Sequence, residues 1–196
     1  MDDVERSNLF EELGEYEVIV AYEDDDNKLY STLKDIDIDY VEVDLGVSEK
    51  LRMEFMKHFD VAKLPALVIR GTPVLGDPDK GIREYIKERE ARALKKIQDV
   101  IDPSKVVLFI KGSPEHPKCG FTRILMDVLL REGVTRDKIA YFDVLSDEDV
   151  RKGLKKINNW PTFPQVYIGN RFIGGLDVIR KMSEREMLRD ELSDII

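Results

Sequence analysis

The sequence predicts an α/β protein built as two tandem units, each a mixed four-stranded sheet flanked by helices. Three observations carry this. The chain has 196 residues, long for one compact domain and comfortable for two. It repeats itself: Leu64-Pro65-Ala66-Leu67-Val68-Ile69-Arg70-Gly71 lies against Phe163-Pro164-Gln165-Val166-Tyr167-Ile168-Gly169-Asn170, with the prolines 99 positions apart. Within each copy the first apolar runs are separated by helical segments, which require crossovers and hence parallel pairing. The last two runs are close enough to form an antiparallel hairpin.

Taken in order, Glu17-Val18-Ile19-Val20-Ala21 is the first strand, and Asp39-Tyr40-Val41-Glu42-Val43 is the second after a crossover. Leu51, Phe55 and Phe59 form a stripe at helical spacing, with His58 as a helix-end residue. The third strand follows Leu64-Pro65 and turns through Arg70-Gly71-Thr72-Pro73 into a short fourth. Gly81 to Asp102 is a run of strong helix formers stopped by Pro103. Its apolar positions Ile82, Tyr85 and Ile86, then Ala93, Leu94, Ile97 and Ile101, change face near Arg89. The last helix of copy one is therefore expected to run into the first helix of copy two, dividing the chain into 1–90 and 91–196 with a stiff connector.

In the second copy Val106-Val107-Leu108-Phe109-Ile110 is the strand and Ile124 to Leu130 a helix; Ala140-Tyr141-Phe142-Asp143-Val144 is the next strand. Ser146-Asp147-Glu148-Asp149 opens a helix with a capping-box pattern, Asp standing in place of Glu. That helix carries Arg151 and Lys155, i and i+4 on one face. A strand after Pro164, a turn at Gly169-Asn170-Arg171, a short strand and a helix opened by Leu176-Asp177 complete the copy.

A net charge of −9 disfavours nucleic acid and anionic membrane as partners. No apolar stretch approaches the roughly 20 residues of a membrane helix. The acidic Met1-Asp2-Asp3-Val4-Glu5-Arg6 is expected to be neither a signal peptide nor a transit sequence. One cysteine cannot form an intrachain disulfide, which gives no reason to place the chain outside a reducing compartment, and the cytoplasm or nucleus is the expectation.

That cysteine, Cys119, sits in Lys111-Gly112-Ser113-Pro114-Glu115-His116-Pro117-Lys118-Cys119-Gly120-Phe121-Thr122, between a strand and the first turn of a helix. The unpaired N–H groups and positive end of the helix, with Lys111 and Lys118 nearby, favour thiolate over thiol. A thiolate attacks disulfides and binds soft metals. The bland alternative, a buried small hydrophobe, fits poorly with the polar, turn-like Lys118-Cys119-Gly120. His116 reads as an exposed loop residue, and Trp160 as packing beneath the loop that carries the cysteine. The acidic Glu23-Asp24-Asp25-Asp26, where copy one would carry an equivalent loop, reads as a solvated surface before a docking one.

Four separated motifs, Pro117-Lys118-Cys119-Gly120-Phe121-Thr122, Val150-Arg151 with Leu154-Lys155, Trp160-Pro161-Thr162-Phe163-Pro164-Gln165 and Gly174-Gly175-Leu176-Asp177, are together similar to monothiol glutaredoxins, whose active-site phrase is Cys-Gly-Phe-Ser. The similarity covers about residues 104–192, and the two-copy layout resembles members with an N-terminal thioredoxin-like domain. Both copies are then thioredoxin-like domains, the first without active-site cysteines. Thr122 replaces the usual serine and Leu176 the usual cysteine before Asp177.

The resemblance implies Cys119 as the reactive thiol and metal ligand. It implies glutathione bound by Lys111, Arg151 and Lys155 through its glycyl carboxylate, and by the backbone of Phe163 before a cis Pro164. Leu176 and Asp177 at a helix start would take the γ-glutamyl carboxylate. A [2Fe–2S] cluster needs four ligands, usually thiolates. One per chain plus one per glutathione implies a homodimer bridged by the cluster, acting in cluster transfer to iron–sulfur recipient or regulatory proteins, or in iron sensing. Two alternatives stand beside it: a weak glutathione-dependent disulfide oxidoreductase that removes glutathione from proteins, and an adaptor acting through the first copy. By analogy with Pro164, Pro65 is expected to be cis.

Overall fold

A computed structural model describes residues 3–23, 33 and 38–196. It divides between Lys87 and Glu88 into two compact units. The first contains α1 (Asp3–Gly14), β1 (Val18–Tyr22), β2 (Val41–Asp44), α2 (Glu49–His58), β3 (Ala66–Ile69) and β4 (Thr72–Pro73). Helix α3 (Pro78–Val100) contains the division. The second unit continues with β5 (Val106–Ile110), α4 (Gly120–Arg131), a 3-10 turn and β6 (Ile139–Asp143). Then follow α5 (Glu148–Ile157), β7 (Gln165–Ile168), β8 (Arg171–Gly174), α6 (Leu176–Glu184) and α7 (Leu188–Leu192).

Each unit holds a four-stranded sheet, in the orders β2-β1-β3-β4 and β6-β5-β7-β8. In the first, β1 pairs parallel with β2 and antiparallel with β3, which pairs antiparallel with β4. The second repeats this pattern. The predicted architecture is therefore the observed one.

The cores follow from the two-residue period of a strand. In β5, Val106, Leu108 and Ile110 face Leu125 and Leu129 of α4 and Ile179 of α6 in one core cluster. Val107 and Phe109 face Ala93 and Ile97 of α3 and Val150 and Leu154 of α5 in the other. In β1, Ile19 and Ala21 meet Phe10 of α1 and Phe55 of α2, while Val18 and Val20 meet Leu33, Ile82 and Tyr85. Helix α3 thus serves as the last helix of the first unit through Ile82 and Tyr85, and as the first helix of the second through Ala93 and Ile97. Leu94, assigned from sequence to the apolar face, is exposed instead.

Several local expectations shift. Thr72 and Pro73 belong to a strand, and the turn narrows to Arg70 and Gly71, both left-handed at φ 50° and 73°. That geometry suits a two-residue hairpin, and Pro73 sits on an edge strand where a missing N–H is harmless. Arg171 likewise joins β8 rather than the turn. The N-cap of α5 is Asp147, whose carboxylate accepts the Val150 N–H at 3.0 Å, and not Ser146, whose hydroxyl donates to the Asp143 carbonyl at 2.7 Å. Helix α1 had no sequence forecast. The acidic run at Asp24–Asp26 and most of the crossover helix expected between β1 and β2 lie outside the described residues; Leu33 of that helix is fully buried.

Candidate functional site

Sheet topology gathers the candidate residues at one end of the second unit. Ile110, the last residue of β5, pairs with Asp143, the last of β6, so the Lys111 loop and the start of α5 leave from the same end. Phe109 pairs with Gln165, the first residue of β7, so residues 160–164 arrive there too. Gly174, the end of β8, pairs with Val166 and delivers the start of α6 to that end.

The loop from Lys111 to Cys119 is closed on itself. Gly112 and Pro117 form an antiparallel bridge, and the Lys118 N–H donates to the Lys111 carbonyl at 2.9 Å. Gly112 has φ +86°, and a Cβ there would stand 2.4 Å from the His116 carbonyl oxygen, so only glycine fits. One carboxylate oxygen of Asp143 accepts from the N–H groups of Gly112 at 2.9 Å and Leu145 at 3.0 Å. Its other oxygen lies 4.0 Å from the Lys118 ammonium. Lys118, expected from sequence to add positive charge at the cysteine, is thus shared with an acid that sequence reasoning had not assigned to the site.

Cys119 is the N-cap residue of α4, with extended backbone at φ −147° and ψ 139°, and its thiol makes no capping bond. It is half-buried. The first N–H groups of α4 have no intrahelical acceptor and gather about this residue. Phe121 beside it is exposed, and Thr122 is buried, placing the extra methyl inward. His116 is exposed, as expected.

Arg151 is half-buried on α5; its guanidinium donates to Glu148 at 3.0 Å while its Nε is buried without a partner. Lys155 is tied to the same region through its carbonyl, which accepts the Trp160 N–H at 3.0 Å. Lys111 has no ion-pair partner among the described residues. Phe163 precedes a cis Pro164, and Leu64 a cis Pro65, as expected for both copies. Gly175 is the N-cap of α6; a Cβ there would meet Trp160 Nε1 at 3.1 Å and the Pro164 carbonyl at 3.2 Å. The 160–164 loop therefore lies directly against the start of α6. Leu176 is buried and Asp177 exposed. Trp160 packs edge-on against Phe172 at 5.8 Å.

The first unit preserves this frame with altered charges. Arg52 stands 99 residues before Arg151, the spacing of the two prolines, and like it faces a glutamate three residues earlier, Glu49 at 3.9 Å. But Glu23, directly after β1, occupies the place of Lys111 after β5 and is ion-paired with Arg52. His58, read as a helix-end residue, stacks on Phe10 at 5.2 Å.

Two such units, one with a single half-buried thiol at a helix N-terminus and a cis proline ahead of its third strand, make a two-domain protein of thioredoxin-like architecture. The glutaredoxin family model matches residues 106–173. The mitochondrial monothiol glutaredoxin-5 of Saccharomyces cerevisiae is 46% identical over 100 residues, 51% of this chain and 67% of that protein. Monothiol glutaredoxin-S17 of Arabidopsis thaliana is 31% identical over 179 residues, 85% of this chain and 36% of that one. Glutaredoxin 3 of Danio rerio is 32% identical over 165 residues, 80% of this chain and 49% of that one. The mature form of 1CGrx1 from Trypanosoma brucei, solved by NMR, is 42% identical over 51% of this chain and 68% of that one, with a TM-score of 0.45. The chain belongs to the monothiol glutaredoxins and carries a further N-terminal domain. It spans two thirds of the yeast relative but half or less of the plant and fish ones. No helix among the described residues is long and apolar enough to cross a membrane.

Proposed function

We propose that the second unit binds glutathione beside Cys119, and that two chains with two glutathiones carry a [2Fe–2S] cluster as cargo for iron–sulfur recipient or regulatory proteins. The observation that carries this is a donor count. Among the described residues no three His, Cys, Asp or Glu side chains form a metal site, and the chain's single thiol stands half-buried at a helix start. One thiolate cannot hold a cluster that takes four ligands. The donor set fits such a cluster when a second chain and two small thiols complete it, and a cluster half-held by exchangeable thiols is readily handed on. Lys111, Arg151 and Lys155 supply cations for the glycyl carboxylate, the Phe163 backbone an edge for the peptide, and the N–H groups of Leu176 and Asp177 a seat for the γ-glutamyl carboxylate.

Anaerobic reconstitution with glutathione should give one cluster per two chains, and Cys119→Ser should give a colourless, folded monomer. Colour in that variant, or full cluster occupancy on a monomer, overturns the reading. A second reading draws on the partial exposure of Cys119. Its thiolate attacks the glutathione sulfur of a protein–glutathione disulfide and expels the protein thiolate; a second glutathione then resolves the new disulfide, releasing oxidised glutathione. Turnover of a glutathionylated peptide by protein that assembles no cluster would select it.

The first unit is assigned to docking rather than glutathione binding. Glu23 places a carboxylate where the second unit has Lys111, and anionic glutathione would meet repulsion there.

A further inference from the structure

Gln165 is wholly buried, one of two non-aromatic polar side chains so placed among the described residues, and it opens a strand completed by Val166, Tyr167 and Ile168. Its backbone is fixed in the sheet by pairing with Phe109. Its side chain turns back into the site. The amide nitrogen donates to the carbonyls of Trp160 at 3.1 Å and Thr162 at 3.4 Å. The amide oxygen accepts from Asn158 Nδ2 at 2.7 Å, and Asn158 Oδ1 accepts from the Tyr167 hydroxyl at 2.8 Å.

The direction of this chain is forced. Two backbone carbonyls can only accept, so they fix which end of the Gln165 amide faces them. That leaves its oxygen for Asn158, which fixes the Asn158 amide in turn and makes the Tyr167 hydroxyl a donor. Asn158 is the C-cap of α5, the helix of Arg151 and Lys155, and the two carbonyls belong to the loop that presents Phe163. One buried amide therefore couples the cationic helix to the peptide-binding loop, and both to the sheet.

We propose that Gln165 is the positioning residue of the glutathione site, holding the 160–163 backbone in register with α5 through its two donated bonds. This rests on the glutathione reading above.

The discriminating variant is Gln165→Glu, which keeps shape and the acceptor toward Asn158. Ionised, the introduced carboxylate cannot donate and faces two carbonyls; protonated, it regains one donor. Burial and those carbonyls both push its pKa upward from about 4.3. Tyr167 is the titratable member of the network, and burial holds its phenol above the ordinary range, so it stays a donor throughout. S-methylglutathione, which has no thiol to titrate, is the probe, and emission of Trp160, the only tryptophan, reports the loop.

Relative to wild type, the variant should bind about tenfold more weakly at pH 8, with shifted Trp160 emission, and recover to within about threefold at pH 5. A folded variant whose affinity ratio to wild type is near one, or is lowered equally at both pH values, overturns the positioning role. If Gln165→Glu does not fold at pH 8, Asn158→Asp decides. It removes the donor that orients the Gln165 oxygen, and should weaken binding about threefold with normal helical content; wild-type affinity in that variant overturns the proposal. Wild-type protein that binds no S-methylglutathione refutes the glutathione reading itself, and the positioning role falls with it.

Discussion

Replacing Asp147 by alanine tests whether the start of α5 is set as the structure indicates. The carboxylate accepts the Val150 N–H at 3.0 Å and pairs with the Lys96 ammonium at 2.5 Å. Loss of such a cap costs about 0.5–2 kcal/mol, and the pair adds about 0.2–1 kcal/mol because Lys96 is well exposed. The combined loss is about 0.7–3 kcal/mol, at about 4–8 °C per kcal/mol in the midpoint of a unit of this size. Asp147→Asn keeps a capping oxygen and loses the charge, so it should recover more than half of the deficit.

The pH dependence adds a second constraint. Burial raises the Asp147 pKa, but Lys96 and the N–H groups of Val150 and Asp149 outweigh it and hold the carboxyl below its ordinary value. A depressed folded-state pKa gives stabilisation that is complete above the unfolded value, about 3.9, and lost as pH falls through the folded one. Urea unfolding followed at Trp160, which lies in the second unit, should show the full gap between wild type and Asp147→Ala at pH 6 and a shrinking gap below about pH 4. A gap that is absent at pH 6, or constant down to pH 2.5, would refute the reasoning.

Three further outcomes are expected. Arg151→Ala and Lys111→Ala should each weaken glutathione binding by about 1.5–3 kcal/mol, roughly 10- to 150-fold, with little change in melting temperature; calorimetric affinities equal to wild type in both would move glutathione elsewhere. Phe109→Ala, which empties a fully buried site packed by Phe142 and Tyr167, should cost about 3–5 kcal/mol by urea titration, and a loss under 1 kcal/mol would contradict the core assignment. In full-length labelled protein, millimolar glutathione should shift NMR signals around Phe163 and leave those around Leu64 unmoved; specific shifts at Leu64 would make the first unit a second ligand site.

The architecture was legible because its signals are local. Val106 to Ile110 is an unbroken apolar run entering a Lys-Gly turn, and the two proline-led strands repeat at a fixed spacing. Cys119 stood out because it is the only thiol. Helix α1 escaped because its sequence shows no clear apolar stripe, although Phe10 and Leu13 are core residues. Asp143 and Gln165 escaped for another reason: their partners, Gly112 and Lys118 for one, Trp160, Thr162 and Asn158 for the other, meet them only after the chain has folded back. A weak sign existed for each. Aspartate ends the second strand of both copies, and Gln165 heads a strand whose other residues are valine, tyrosine and isoleucine.

Arg52 and Arg151 are equivalents in the two units, each one turn into the same helix with a glutamate behind it. A single position distinguishes their surroundings. With glutamate after the central strand, the first unit answers its arginine from within its own chain. With lysine there, the second unit gathers like charges at one end of its sheet, where Arg151 meets its helix neighbour Glu148. On the glutathione proposal, an arriving carboxylate would take the role that a side chain plays in the sister unit, the ligand standing in for a missing residue. Reversing the sign at Glu23 or at Lys111 should therefore interconvert a self-sufficient domain and a receptive one more readily than any change to the cores that the two units share.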